Sequence, residues 1–301
     1  MMPRIRPAMT LILFNLLLAQ AFSSESSSNL QYSTPKLLGN LENDKIAESS
    51  GLAASNRNRG IFWTHNDSGD KPRLFAFDRT GKHAGTSALR GAQAIDWEDM
   101  GTFRYQDRPF LFVADTGCND LKRRNYTIYT ALEPKTPKKD SRVVHRIDFS
   151  YADKMPHNCE AVAYDSRDNQ FLLIEKRKHH QVLLPSPVWQ LNWDPTQPIQ
   201  TQIAQRIGEI RFPIVTGLDL SPDGSRGFAI TYLGNGAELK RRPGESWQTA
   251  LQRPLRTISL PPRRQGEAVC YGNDGKTLFL TSEKKPSPLY VVPITENTQN
   301  R

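Results

Sequence analysis

The sequence has few cysteines and no paired-cysteine motif. Only three occur among its 301 residues, and none has the Cys-Xaa-Xaa-Cys spacing that is typical of zinc sites. A cysteine nucleophile would need a histidine partner, which the sequence does not place. In an oxidising compartment, three cysteines allow one disulfide and one free thiol, and three buried thiols are the alternative. The three are Cys118, Cys159 and Cys270.

Familiar catalytic motifs are missing as well. The sequence contains no Gly-Xaa-Ser-Xaa-Gly elbow, no phosphate-binding Walker loop and no histidine-rich metal motif. It also has no long stretch with helical apolar periodicity and no Gly/Ser-rich or Pro-rich linker in its middle. Short apolar runs rich in Val, Ile, Phe, Tyr and Leu alternate instead with Gly, Pro, Asn and Asp. This pattern favours a single all-β domain, which we place at residues 35–296.

The apolar run at the N-terminus is too short to cross a membrane. Residues 9–19 are apolar, Arg4 and Arg6 precede them, and an Ala-Gln-Ala sequence follows at residues 19–21. A membrane span needs about 20 apolar residues, so we predict a signal peptide at 1–21 and export to the periplasm or the medium. An uncleaved anchor is the alternative. Residues 22–34 are rich in serine and are predicted to form a flexible leader.

Basic residues outnumber acidic ones, with a formal net charge of +9. They cluster in short groups at 122–124, 176–178, 240–242 and 263–264. No nucleic-acid motif accompanies these groups, so we expect no nucleic-acid partner and interpret them as solvated loops or as attraction toward an anionic small molecule. We expect a monomer, with no membrane span after the signal peptide.

A unit of short strands recurs five times along the chain. Each copy has an apolar first strand, then an apolar second strand that ends on a polar residue. The intervals between copies, measured at the residue before the first strand, are 48, 62, 56 and 51 residues. The first strands lie within residues 49–55, 96–103, 158–165, 216–224 and 265–271.

These periods are those of four-stranded propeller blades with variable outer loops. We therefore predict a β-propeller with five blades, or six if one long interval conceals another. The last copy lacks a fourth strand, and residues 35–41 can supply it, so that the N-terminal strand closes the ring. Closure removes exposed sheet edges.

In a propeller, the residues that begin the first strands converge on one mouth of the central channel. Three carboxylates and two hydroxyls around one axis form a ring of hard oxygen ligands. Ionised glutamates at such short range repel each other, so they share protons or hold a cation, for which Ca²⁺ is the best candidate. Alternatively, the glutamates only bind backbone amides of neighbouring blades. The predicted ring is Ser50, Glu98, Glu160, Thr216 and Glu267.

The residues that end the second strands meet at the same mouth. Among them and the loops that follow, we predict catalytic roles for Asp67, Asp115 and Glu283. Predicted substrate-binding residues are Asn66, Asn119, Arg123, Lys176 and Tyr232. The alternatives are an Asx turn for Asn66 and Asp67, a salt bridge for Arg123, and neutralisation of Glu160 by Lys176.

This arrangement favours a Ca²⁺-dependent hydrolase of phosphate esters or anhydrides. A propeller that binds a ligand without chemistry, with a structural metal, is the main alternative. Glycan hydrolysis by paired carboxylates is a third possibility, which requires a defined spacing between them.

Two family resemblances accompany these residues. The order Ser, Glu, Glu, Thr, Glu resembles the channel ring of the calcium-activated apyrases, which implies Ca²⁺ on the five ring residues. The segments at 63–69, 96–99, 114–119, 160–161, 216–224 and 265–268 resemble signatures of exported bacterial propellers of the phytase-like or esterase-like group. The chain departs from that group at Cys118, where Asp is usual, and at Ile230, where Arg is usual.

Overall fold

The computed structural model describes residues 30–177, 179–181, 184–232 and 234–296. Two short strands open this part of the chain, β1 (Leu30–Tyr32) and β2 (Lys36–Asn40). Nineteen further strands follow, together with a 3-10 turn at His179–Gln181 and one short helix, α1 (Trp247–Ala250). The predicted signal peptide and most of the predicted leader lie outside the described residues.

The strands form five antiparallel units, in which successive strands pair with one another. The first unit contains β3 (Ser49–Ala54), β4 (Ile61–Asn66), β5 (Arg73–Asp78) and β6 (His83–Arg90). The second contains β7 (Trp97–Tyr105), β8 (Arg108–Asp115), β9 (Tyr126–Leu132) and β10 (Ser141–Tyr151). The third contains β11 (Cys159–Asp165), β12 (Gln170–Glu175), β13 (Ser186–Asn192) and β14 (Ile199–Ile210).

The last two units follow the same order. The fourth contains β15 (Val215–Leu220), β16 (Arg226–Thr231), β17 (Asn235–Lys240) and β18 (Arg256–Ser259). The fifth contains β19 (Gln265–Tyr271), β20 (Thr277–Glu283) and β21 (Pro288–Glu296). Beside β21 lies β2 from the N-terminal end of the described chain, with Lys36 opposite Val291. The fifth unit thus takes its fourth strand from the start of the chain.

The described part of the predicted leader is not flexible coil throughout. Strand β1 pairs antiparallel with the end of β21, with Leu30 opposite Glu296. Tyr32 donates its hydroxyl hydrogen bond to Glu238 of the fourth unit at 2.8 Å. The leader boundary at residue 34 was therefore wrong for residues 30–32, because the edge of β21 offers backbone partners that a serine-rich composition does not reveal.

The outer strands connect three of the units into one sheet. Strand β10 runs parallel to β14, from Arg146 opposite Ile199 to Tyr151 opposite Ala204. It also pairs with β6 over two residues. The first three units therefore form a twelve-stranded sheet, whereas the sequence predicted separate blades. The outer strands β6, β10 and β14 are long enough to pair along their edges, and this pairing leaves fewer unpaired backbone groups.

The first strands of the units contact one another in cyclic order, from β3 through β7, β11, β15 and β19 and back to β3. The hydrophobic core is divided correspondingly into five clusters, each between neighbouring units. Trp63 and Trp97 share the cluster between the first two units. Trp247 lies between the third and fourth. The chain is all-β and propeller-like, and its core lies between units rather than within any one of them.

The structure also describes the three cysteines and bears on the expected absence of a membrane span. Cys118, Cys159 and Cys270 are all described, and each is a buried free thiol. Burial raises the pKa of Cys159 and of Cys270, so neither is an activated nucleophile. No helix in the described ranges is long and apolar enough to cross a membrane.

Candidate functional site

A β-bulge occurs at the same place in every first strand. The pairing register shifts between Trp97 and Asp99 in β7, and at the equivalent point of each other unit. A bulge adds a residue to one strand and redirects its side chain. The residues at the five shifts include the five predicted ring members: Ser50, Glu98, Glu160, Thr216 and Glu267. The ring residues thus lie inside the strands, at bulges, rather than just before the strands as the sequence suggested.

All five ring side chains are nearly inaccessible to solvent, with exposures of 0–3 %. Mutual repulsion contributes to the raised pKa of Glu98 and of Glu267, in each case after burial, and Glu160 is the leading neighbour in both. The predicted convergence of the three glutamates is therefore present in the structure. Their contacts differ, however, and divide the ring into separate parts.

The two hydroxyl members link neighbouring units. Ser50 Oγ donates to the carbonyl oxygen of Glu98 at 2.7 Å. Thr216 Oγ1 donates to the carbonyl oxygen of Gly266 at 2.6 Å. Each hydroxyl proton is therefore used in a hydrogen bond between one first strand and the next, and only the oxygen lone pairs remain for another ligand.

The second part of the ring is built around Lys176. Its Nζ lies 2.5 Å from Glu160 Oε2 and 4.2 Å from the centre of the Tyr232 ring. Asn158 Nδ2 donates to the other Glu160 oxygen at 3.0 Å. Although burial disfavours its charge, attraction to Glu160 and then Glu267 raises the pKa of Lys176. Lys176 is therefore a permanent cation that neutralises this side of the ring.

The third part is a group of three carboxylates. Asp67, Asp96 and Glu98 each offer an oxygen atom, and these atoms lie within 4.8 Å of one another. Glu98 Oε1 is buried and accepts no hydrogen bond from the residues that the structure describes. We call this group the acid cluster. It has the composition and the spacing of an oxygen-ligand cation site.

Gly117 leaves the space that the acid cluster occupies. A Cβ atom at this position would lie 2.2 Å from Glu98 Oε1 and 2.4 Å from the Asp96 carboxylate. Any larger residue would have to displace at least one of these carboxylates. The loop after β8 is thus shaped around the acid cluster.

Burial, followed by repulsion between carboxylates, raises the pKa values of the acid cluster and of its surroundings. Burial, then repulsion from Asp67, raises the pKa of Asp96 to about 6. Burial and then Asp67 also raise the pKa of Glu283 to about 7. Burial raises the pKa of Asp67 as well. A bound cation would relieve this repulsion, and without one the carboxylates keep their protons to a higher pH than usual.

Sequence reasoning missed Asp96 as a member of the site. The sequence Asp-Trp-Glu-Asp at residues 96–99 contains three carboxylates at the start of a first strand, and this density was the available signal. The last of them, Asp99, was also missed. It accepts hydrogen bonds from the backbone of Met100, Val162 and Leu218 and so connects the second, third and fourth units below the ring.

Three of the predicted site residues use their polar atoms in contacts with other parts of the protein. Asp115 is fully buried, lies 2.5 Å from Arg123 Nη1, and accepts a hydrogen bond from the Asp96 backbone at 3.1 Å. Asn66 accepts from two backbone amides and donates to Lys45 and Asp70. These contacts do not support a general-base role for Asp115 or substrate binding by Asn66 and Arg123. They hold in place the loops that carry the acid cluster.

The remaining predicted residues line the mouth. Asn119, Lys176 and Tyr232 border a cavity of about 470 Å³, which we call the mouth pocket; Leu121 and Ile214 also line it. Glu283 Oε2 accepts a hydrogen bond from Gln265 Nε2 at 2.5 Å, and the same amide group donates to the Tyr232 hydroxyl at 2.9 Å. The mouth pocket therefore lies on the Lys176 side of the ring.

Comparisons with known proteins found structural similarity at low identity. No protein-family model matches the chain, and no curated protein is significantly similar to it. A gluconolactonase from Xanthomonas campestris matches with 9 % identity and a TM-score of 0.46, covering 87 % of this chain and 95 % of that one. Hydrazine synthase from Kuenenia stuttgartiensis matches with 9 % identity and a TM-score of 0.44, covering 84 % and 72 %. At these values the similarities carry no argument about activity.

Proposed function

We propose that Asp67, Asp96 and Glu98 bind a divalent cation, and that the protein is a hydrolase which depends on it. The supporting observation is the buried Glu98 Oε1, which lacks a donor in the described structure although two further carboxylates lie beside it. A buried carboxylate without a partner is costly, and a cation would satisfy it. Ca²⁺ suits the site better than Mg²⁺, because it accepts irregular sets of oxygen ligands.

Of the five ring residues that the sequence indicated as cation ligands, this proposal retains one. Glu98 is the one ring member in the acid cluster. Glu160 is paired with Lys176, while the hydroxyl groups of Ser50 and Thr216 hold neighbouring strands. Glu267 is close to Lys176 and Tyr232. Any contribution of these four residues to a cation would come through oxygen lone pairs that their present contacts leave available.

The substrate class we propose is a phosphate ester or anhydride. A bound cation would supply charge neutralisation for a phosphoryl oxygen, without which this acidic mouth would repel an anion. Across the ring from the acid cluster, Lys176 provides a positive charge that stabilises negative charge there. Glu283, with its pKa of about 7, exchanges a proton near neutral pH and is the general acid–base candidate. Asp115 and Arg123 act as positioning residues for Asp96.

Titration of Ca²⁺ into chelator-treated protein, followed by calorimetry, tests the cation site. We expect wild-type protein to bind and Glu98→Gln to bind at least tenfold more weakly, because a ligand charge is lost. Gly117→Ala should weaken binding similarly by displacing the cluster, whereas Gly208→Ala on an outer strand should not. Absence of Ca²⁺ binding at millimolar concentration would contradict the site.

Turnover of nucleotides, phytate and aryl phosphates tests the activity. Hydrolysis that requires Ca²⁺ and is lost in Glu98→Gln supports the proposed function. Ca²⁺ binding without any hydrolysis would favour a second candidate, a ligand-binding propeller with a structural cation. The bonds of Ser50 and Thr216 between strands favour this candidate, because they show that part of the ring serves assembly.

We further propose that the five units are the five blades of one propeller, closed by the N-terminal strand β2, and that the protein is exported as a monomer. The cyclic contacts of the first strands support the blade number. The phytase-like resemblance remains part of this proposal. The mass of the mature N-terminus and light scattering in solution test export and the monomer, respectively.

A further inference from the structure

Two residues that line the mouth pocket have an unfavourable backbone conformation. Leu121 has φ 54° and Ile214 has φ 51°. Positive φ is uncommon for residues other than glycine, and for a β-branched residue such as isoleucine it is a true outlier. Such strain is found where the surrounding structure holds the residue in place, often at binding and catalytic sites. Both residues line the mouth pocket.

The two strained residues place apolar surface in the lining of the mouth pocket. Leu121 is 36 % exposed, although a large apolar side chain gains free energy from burial. Ile214 contributes a buried wall, and the Tyr232 ring forms another part of the lining. A glycine or asparagine at either position would relieve the backbone, so the chain retains apolar side chains where they are conformationally costly.

The charged groups of the mouth pocket are already paired with one another. Lys176 lies 2.5 Å from Glu160, and Arg177 lies 2.9 Å from Glu175. A polyanion in the pocket would have to break these pairs, and leaving a buried charge unpaired is strongly unfavourable. A neutral group would leave both pairs intact and gain contact with Leu121 and Ile214.

We propose that the mouth pocket binds a neutral aromatic or alkyl group, and that Leu121 and Ile214 determine this specificity. The pocket volume of about 470 Å³ is within the range of small-molecule sites. The assignment of this group as the leaving group of a phosphate ester rests on the proposed function, whereas its binding does not. The preferred substrate is then an aryl or alkyl monoester rather than a compact polyphosphate.

Binding of 1-naphthol tests the pocket without reference to catalysis. We expect wild-type protein to bind it and Leu121→Gly to bind it about tenfold more weakly, from the loss of most of one leucine contact. Leu121→Asn, which also tolerates this backbone conformation, is the second variant. Lys154→Gly is the matched control, because Lys154 has φ 62° on a neighbouring loop, is exposed and does not line the pocket.

Hydrolysis of 1-naphthyl phosphate and methyl phosphate then tests the role in catalysis. We expect the ratio of their kcat/KM values to favour the naphthyl ester and to fall about tenfold in Leu121→Gly, with a melting temperature no lower than that of wild-type protein. Naphthol binding without turnover of either ester would support the pocket and count against the hydrolase. Failure of wild-type protein to bind naphthol at millimolar concentration, or equal weakening in Lys154→Gly, would overturn the proposal.

Discussion

Glu98 has a buried carboxyl oxygen, Oε1, that accepts no hydrogen bond from the described residues. Burial, followed by repulsion from neighbouring carboxylates, raises the pKa of Glu98. Its side chain therefore favours the protonated form. Asp96 and Glu283 respond to the same field, with pKa values of about 6 and about 7. Protons would therefore compete with a cation for these carboxylates, and cation affinity should rise with pH.

The stability of the cation-free protein should fall as the pH rises. Glu283 has a folded-state pKa of about 7 against an ordinary value of 4.5, so the folded state binds the proton more tightly than the unfolded chain. Its contribution is present at pH 4 and is lost as the pH rises through 7. We expect a loss of about 2 kcal/mol or less between pH 5 and pH 8, since solvent screening reduces the effect.

Denaturant unfolding of chelator-treated protein across this pH range measures the effect. Glu283→Gln should flatten the curve, because an amide does not titrate. Glu296→Gln, which removes an exposed carboxylate at the end of β21, should leave the curve as it is. A stability that rises with pH in the wild-type protein would contradict the prediction.

At the scale of the elements, one local irregularity is repeated five times. Each first strand has its bulge at the ring position, and a regular strand would alternate successive side chains between opposite faces. In β7 the side chains of Glu98 and Asp99 are both buried. Glu98 joins the acid cluster, and Asp99 bonds to the backbone of two other units.

The hydroxyl of Thr216 should contribute measurably to the contact between β15 and β19. Thr216→Val keeps the shape of the side chain but removes the donor to the Gly266 carbonyl, so a buried acceptor loses a partner. We expect the free energy of unfolding to fall by about 1–3 kcal/mol. Chemical denaturation measures this change.

Thr216→Ser is the matched control for that substitution. It retains the hydroxyl and should recover most of the lost stability. A valine variant as stable as wild-type protein would indicate that the bond between the strands is not significant. Naphthol binding should be the same in both variants, because Thr216 does not line the mouth pocket.

For the whole molecule, β2 connects the two ends of the described chain. It pairs with β21, and Gly39 lies so close to the first unit that a Cβ atom there would be 2.1 Å from the carbonyl oxygen of Thr80. The same backbone approach is seen from the other side, where a Cβ at Gly81 would lie 2.2 Å from the carbonyl oxygen of Asn40. β2 is therefore held between the fifth and first units.

Gly39→Val should displace β2 and expose the edge of β21. The clash is with backbone, which cannot rotate away, so we expect a loss of about 1–3 kcal/mol in the free energy of unfolding. An exposed edge also promotes association between copies, which light scattering would detect. Leu37→Val changes a side chain that is 56 % exposed on the same strand and should have little effect. Unchanged stability in Gly39→Val would count against closure by β2.

Periodicity in the sequence was sufficient for the all-β, propeller-like fold and for the position of the ring. Apolar first strands recur at regular intervals because each unit must cover its neighbours, and strand pairing then brings equivalent positions together. The sequence therefore indicated Glu98, Glu160 and Glu267 as neighbours, and the structure brings them together. It also placed Lys176 beside Glu160, as one of two alternatives.

The local sequence pattern could not predict which side chains pair with one another at the site. Asp115 was predicted to be catalytic and Arg123 to bind substrate or to form a salt bridge, and in the structure the two side chains pair with each other at 2.5 Å. Asp96 lies beside Glu98 because the bulge at Glu98 redirects its side chain and Gly117 leaves room. Side-chain pairing of this kind depends on distances across several strands, which no spacing along the chain encodes.

The sequence by itself determined the repeat, the order of its strands and the polar residues at one mouth. These features follow from alternation and period, which are properties of the chain. Only the tertiary structure decided that two carboxylates lie beside Glu98 while Lys176 neutralises the other side of the ring. It also decided that Leu121 and Ile214, unremarkable in sequence, form the walls of a pocket. Charge pairing and cavity shape depend on contacts between distant segments, and these exist only after the chain has folded.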